Sequence, residues 1–231
     1  MIGQTKRGTR YAGFVCAAIL AFFFGNPTAL AMAYVRWSEL EIDPAQLKQF
    51  TALAQENIRQ TRRKEPGVSA FYSAAEKGHP HRIRVLEVYA DAMAYQAHLK
   101  SSHFQAFRSG TRQMVKERQL FEAVPVALGA KPQLPPPTAV VRIAELEIDP
   151  AQLDAYKAIV IEEIGDAIRL EPGVFAIYAV ALKDSPNQLR FFEIYADEQA
   201  YLYHRETPHF KKYVDGTQKM IKARKLIEAA P

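Results

Sequence analysis

Shifted against itself by 106 positions, the sequence aligns residues 36–125 with 142–231 without a gap, and about 42 of those 90 positions are identical. Unrelated segments do not agree to this extent, so the chain is one structural unit written twice. Landmarks recur in the same order. Glu39–Leu47 matches Glu145–Leu153, Glu65–Val68 matches Glu171–Val174, and Tyr89–Asp91 matches Tyr195–Asp197. His98 then matches His204, His103-Phe104 matches His209-Phe210, and Gly110-Thr111 matches Gly216-Thr217. The copies span residues 34–126 and 139–231. Between them, residues 127–138 contain Pro132 and Pro135–Pro137 and read as a semi-rigid, extended linker.

Within each copy the hydrophobic period switches in a fixed order. Val35–Ile42 alternates as a strand, and Asp43-Pro44 caps and opens a helix. That helix carries Leu47, Phe50, Ala54 and Ile58 on one stripe, repeated as Leu153, Tyr156, Val160 and Ile164. Glu65-Pro66-Gly67 stops it and turns the chain, since Pro cannot continue a helix and Gly permits a positive φ. Val68–Ala75 and Ile83–Ala90 read as a hairpin. Asp91 and Asp197 cap a short helix, Ser101-Ser102 and Thr207-Pro208 start another, and Leu120–Val124 is expected to form a last short strand. The order β-α-β-β-α-β is that of a ferredoxin-like unit, an α+β fold. Such a unit leaves one sheet face bare, so the expectation is two units closed into a single barrel.

The first 33 residues read as a targeting segment. Lys6, Arg7 and Arg10 precede the apolar run 11–24, and Ala29-Leu30-Ala31 or Ala31-Met32-Ala33 offers small residues for cleavage. The run is short for a span of about 20 residues, so cleavage and a periplasmic or secreted mature protein are expected, without stable membrane insertion. An uncleaved anchor is the alternative. Setting those three basic residues aside lowers the formal charge from +5 to +2, and no aromatic-laced basic cluster remains, which argues against a nucleic-acid partner. The single cysteine, Cys16, lies in the same segment, which excludes cysteine chemistry from the mature chain.

Glu-Pro-Gly-Val, Tyr72, the run Glu87–Asp91, and the run His98–Phe104 together resemble the antibiotic biosynthesis monooxygenase domain, whose common form ends in His-Leu-x-Thr-Pro-His-Phe. The second copy keeps Thr207–Phe210 and has Arg205 where Leu is usual. The resemblance implies a dimeric α+β barrel fused into one chain. It also implies chemistry that includes oxygenation of quinols and phenols without metal or flavin, so no cofactor and no metal are expected. Tyr89 and Tyr195 fall where haem-degrading relatives carry a cavity Trp. Trp37 and Ile143 stand where those relatives have Asn, and Arg108 and Val214 lie near the place of their haem-ligating His. Haem degradation is therefore not expected.

A cofactor-free oxygenation needs a pocket for an electron-rich ring and a group that takes or positions a phenolic proton. Candidates for that role are Tyr89, Tyr195, Tyr72, Tyr178, His98 and His204. Each tyrosine can equally be a packed strand residue with a satisfied hydroxyl. The histidines can equally cap or pack the helix junction. Candidates for binding the ring are Trp37, Phe104, Phe210, His103, His209, Glu87 and Glu193; the glutamates alternatively pair with Arg36 or Arg142. A four-histidine metal site is not expected, because the spacing of five puts each pair across a helix break and no carboxylate is placed to complete the set. The reading is a monooxygenase acting on a quinol-like or phenolic small molecule. The alternative is a binding or sensing module of the same fold, and further self-association is left open.

Overall fold

The computed structural model describes residue 30 and residues 32–230; the expected targeting segment lies almost wholly outside them. The first copy runs β1 (Tyr34–Ile42), α1 (Leu47–Lys64), β2 (Val68–Glu76), β3 (His79–Tyr89), α2 (Ala92–Lys100), α3 (Ser102–Thr111) and β4 (Val115–Ala130). The second repeats it as β5 (Val140–Ile148), α4 (Leu153–Leu170), β6 (Val174–Leu182), β7 (Ser185–Tyr195), α5 (Glu198–Glu206), α6 (Pro208–Thr217) and β8 (Ile221–Ala230). None of the helices among the described residues is long and apolar enough to cross a membrane.

The capping residues do what their chemistry suggests. Asp43 Oδ1 accepts from Ala45 N at 3.0 Å, ahead of a short 3-10 turn over Pro44–Gln46 that leads into α1. Asp91 and Asp197 each accept a backbone N–H at 2.8 Å to start α2 and α5. Ser101 and Thr207 serve α3 and α6 in the same way.

The strands close into one antiparallel barrel in the order β1-β3-β2-β8-β5-β7-β6-β4, with β4 returning to β1. Two tandem ferredoxin-like units thus form an intrachain α+β barrel. Its interior is a shared apolar core holding Val35, Trp37, Leu86 and Val88 from one unit and Ile143, Tyr178, Val180 and Phe192 from the other. The helices cover the outer face, so alternate strand residues face either the barrel interior or the helix layer.

Three expectations change. β4 is a 16-residue strand rather than a short one, and residues 127–130 belong to it instead of to the linker. Its far half leaves its own unit and pairs with β6 from Ala123↔Leu182 to Ala130↔Ala176. Pro125, which has no N–H to donate, sits where that register shifts. The counterpart seam is shorter, with β8 meeting β2 only at Ala75↔Ala230 and Glu76↔Ala229. Finally, Gly67 does not adopt a positive φ; Gly78 is the described residue that does. Gly67 and Gly173 are required by proximity, since a Cβ there would lie 2.7 Å and 2.5 Å from the Cβ of Ala94 and Ala200.

Candidate active site

A cavity of about 320 Å³ lies between the outer face of the first unit's sheet and its helices, within the usual range for small-molecule sites of about 300–1,000 Å³. Strand alternation supplies its floor: Arg36, Ser38 and Leu40 from β1, Phe71 and Ser73 from β2, and Val85 and Glu87 from β3. The amphipathic face of α1 adds Phe50, Ala54 and Asn57, while α2 and α3 add His98, Phe104 and Arg108.

His98 is fully buried at this junction. Its Nδ1 lies 3.0 Å and 3.1 Å from the two carboxylate oxygens of Glu65, the residue that ends α1. The Nε2 of His103 approaches Glu65 Oε1 at 2.5 Å, so one carboxylate accepts from both rings. With its proton held at Nδ1 by Glu65, the neutral His98 ring carries its lone pair on Nε2. That nitrogen has no hydrogen-bond partner among the described residues, and neither has Oδ1 of Asn57, buried along the same cavity. Two orphaned acceptors beside one cavity are costly unless a donor fills them. Burial lowers the pKa of His98, outweighing the opposite pull of Glu65. At neutral pH it is therefore a neutral base.

The second unit has the same parts in a different state. Ala54, Val85 and Val115 are replaced by Val160, Phe191 and Ile221, and the larger side chains fill the space under α4. Tyr156 and Tyr213 stand for Phe50 and Phe107 and bond to each other through their hydroxyls at 2.9 Å. What remains is a recess of about 10 Å³ beside His209, at the lower limit for a single water. His204 is held by Glu171 at 2.8 Å, but Glu163 replaces Asn57 and puts a carboxylate 3.6 Å from its Nε2. Against the cost of burying its charge, the contacts with Glu171, Glu163 and Glu193 raise the pKa of His204. One histidine is thus an available base, whereas its duplicate is drawn toward imidazolium.

Of the residues singled out from the sequence, His98, Glu87 and Phe104 line the cavity. His103 stands behind it on Glu65. Tyr89 does not line it: its hydroxyl donates to Glu87 at 3.1 Å and its ring centroid is 5.6 Å from that of His98. Tyr195 repeats this contact on Glu193 at 2.8 Å. Neither glutamate forms the expected ion pair with Arg36 or Arg142; Arg142 pairs with Glu198 instead. Burial holds the Glu87 carboxyl up at about 7, against the hydrogen bond from Tyr89 and the charge of Arg36, and it raises Glu193 likewise. Trp37, Tyr72 and Tyr178 point away from the helix-side cavity into the barrel, because each has the opposite strand parity to the lining residues. Tyr72 there packs 5.8 Å from both Tyr178 and Phe192. His204, His209 and Phe210 belong to the filled second unit.

Two features escaped the sequence. The expectation that no carboxylate completes the histidine set is corrected by Glu65 and Glu171, and by Glu163, which gathers with His204 and His209 within 4.8 Å. In the first unit the 2.5 Å approach is a hydrogen bond, since two ligands of one tetrahedral ion at about 2.1 Å sit roughly 3.4 Å apart. Asn57 was also missed, although its divergence from Glu163 inside a conserved helical stripe was visible in the repeat.

A fused α+β barrel with one vacant aromatic-lined cavity and a buried, carboxylate-held histidine defines a class of small-molecule-handling proteins. The sequence profile of the antibiotic biosynthesis monooxygenase family matches residues 34–110 and 139–216, and the chain belongs to that family. Membership supports a monooxygenase-type activity. The structure is similar to a candidate monooxygenase from Lactobacillus acidophilus NCFM, at 23% identity and TM-score 0.82 over 86% of this chain and 93% of that one. It is also similar to a candidate monooxygenase from Fusobacterium nucleatum, at 20% identity and TM-score 0.80 over 86% and 92%. A candidate antibiotic biosynthesis monooxygenase from Bacteroides thetaiotaomicron is 50% identical over 41% of this chain and 90% of its own, with TM-score 0.40. No curated protein matches the chain.

Proposed function

We propose that the protein is a cofactor-independent monooxygenase that oxidises a quinol-like or phenolic molecule with O₂ in the cavity of its first unit. The observation that carries this reading is buried His98, which lines a vacant, largely aromatic-walled cavity and whose Nε2 has no hydrogen-bond partner among the described residues. A phenolic O–H placed there satisfies that lone pair and gives up its proton to it. The resulting phenolate is electron-rich enough to reduce O₂, which adds at a ring carbon bearing hydrogen, para to the oxygen in a simple phenol and ortho to it in a quinol. Loss of that carbon's proton and cleavage of the O–O bond then leave a quinone and one water. One oxygen atom of O₂ enters the product and the other leaves as water, with all electrons supplied by the substrate. Glu65 is a positioning residue: it holds the ring and its tautomer and stabilises the imidazolium formed on proton transfer.

The second unit acts as scaffold, its filled interior holding the shared barrel in shape. The chain works outside the cytoplasm, a reading supported by the basic, apolar and small-residue order of residues 1–33. Amino-terminal sequencing of the protein from a periplasmic or culture fraction checks it.

The activity test is incubation of purified, metal-free protein with a panel of hydroquinones and phenols, with and without air, following O₂ uptake and quinone formation. Oxygen-dependent turnover is expected, and His98→Gln is expected to lower it by about 10²–10⁴-fold. Saturable binding of an aromatic ligand without any turnover would instead establish the binding-module alternative.

A further inference from the structure

The cavity carries more positive charge than a site for a neutral phenol requires. Arg36, Arg108 and Arg118 line it. The arginine ion pairs among the described residues involve Arg59, Arg84, Arg142, Arg169 and Arg190, so none of the three lining arginines forms an ion pair within 4.0 Å among them. Arg36 lies over the ring of Tyr95, 5.6 Å from its centroid. The lining acid is Glu87, whose carboxyl burial keeps largely able to hold its proton near neutrality.

The polar groups are also sorted by depth. Arg108 and Arg118 are exposed and stand at the opening, whereas His98 and Asn57 are buried. Between them the wall is apolar, with Leu40, Phe50, Phe71 and Phe107. In the second unit, where the cavity is filled, the surplus is reduced too. Arg142 is paired with Glu198 at 2.5 Å, where the first unit has Ala92, and Val214 replaces Arg108. The reduction is partial, because Arg118 keeps its counterpart in Arg224.

Resting on the reading given above, we propose that the substrate is an aromatic acid: a phenolic ring whose hydroxyl donates to His98 and whose carboxylate is held by the arginines at the mouth. Arginine suits this task, because its planar fork matches a carboxylate and it is always charged. A carboxylate at the opening also keeps part of its hydration, so binding does not require full desolvation of the charge.

The test is a binding comparison without oxygen, using 6-hydroxy-2-naphthoate, whose hydroxyl and carboxylate stand at opposite ends of the ring system, and 2-naphthol, which lacks the carboxylate. The purified protein is expected to bind the naphthoate at least about tenfold more tightly, as one charge-assisted contact implies. That preference should shrink with added salt. Arg108→Gln and Arg118→Gln should each weaken binding of the naphthoate more than binding of 2-naphthol and so reduce the preference. Equal affinities for the two probes, or a preference that survives both substitutions, would overturn the inference. Its failure is separable from failure of the oxygenase reading. Turnover of neutral hydroquinones that depends on His98, without any preference for acids, sinks the aromatic-acid proposal alone. Preference for the naphthoate without any oxygen-dependent turnover sinks the oxygenase reading alone.

Discussion

His98 and His204 are the same residue by duplication, and their difference comes down to what faces Nε2. In the second unit Glu163 stands 3.6 Å from it, and the matching position of the first unit's helix is Asn57. Asn57→Glu should therefore give His98 the environment of His204, raising its pKa and suppressing turnover by at least about tenfold at pH 6–7, as expected for a lost general base. An NMR titration of the ring and an O₂-uptake assay check both halves of this expectation. In the unaltered protein the base works only when neutral and its pKa lies below the ordinary histidine value. The acid limb of kcat/KM assigned to His98 should consequently fall below pH 6.5 and move upward in Asn57→Glu. The two rings also oppose each other in stability. His98 contributes stability above pH 6.5 that is lost as pH falls through its lowered folded pKa. His204 contributes below pH 6.5 and loses that contribution as pH rises through its raised one. The histidines themselves were legible from the sequence. Their partner was not: Glu65 reads as the end of a helix before Pro66-Gly67, and only tertiary packing brings it 33 residues forward to His98.

The helix layer is where the two units diverge, and strand β3 shows how. Val85 lines the cavity, and its counterpart Phe191 is packed into the second unit's core. Val85→Phe should fill the first cavity as Phe191 fills the second. Ligand binding is then expected to vanish while the melting temperature stays within a few degrees, since the added ring occupies existing space rather than displacing neighbours; titration and thermal denaturation of the same sample decide it. Gly67→Ala should behave in the opposite way. Its new Cβ would meet Ala94 at 2.7 Å, so it should destabilise by about 1–3 kcal/mol, which chemical denaturation would read. Most elements could be placed from period and caps alone. The reach of β4 could not, because Ala127–Ala130 look like linker until the β6 edge they pair with is known. The inward tyrosines were misplaced for a related reason. Parity fixes the faces within one strand, but a strand's parity relative to its neighbour follows from register, which is a tertiary property.

For the whole molecule, the repeat implies the barrel, since each unit leaves a sheet face that only its copy can cover. The structure adds that the units are joined by more than contact. β4 crosses to β6, and half-buried ion pairs link Arg84 to Glu145 at 3.0 Å and Arg190 to Glu39 at 3.4 Å. The halves should therefore unfold together. Trp37 is the single tryptophan and lies buried in the shared interior, so its fluorescence and the far-ultraviolet circular dichroism should trace one coincident urea transition; separated transitions would mean independent halves. Closure of the barrel by two unequal seams also frees the two helix layers to diverge, and the difference in filling is the basis of the functional account. The most direct test is to measure O₂-dependent turnover in His98→Gln and His204→Gln side by side, on folded protein with the same phenolic substrate. A loss of about 10²–10⁴-fold in the first with nearly full activity in the second is expected; equal losses, or a loss confined to His204→Gln, would contradict a single working site in the first unit.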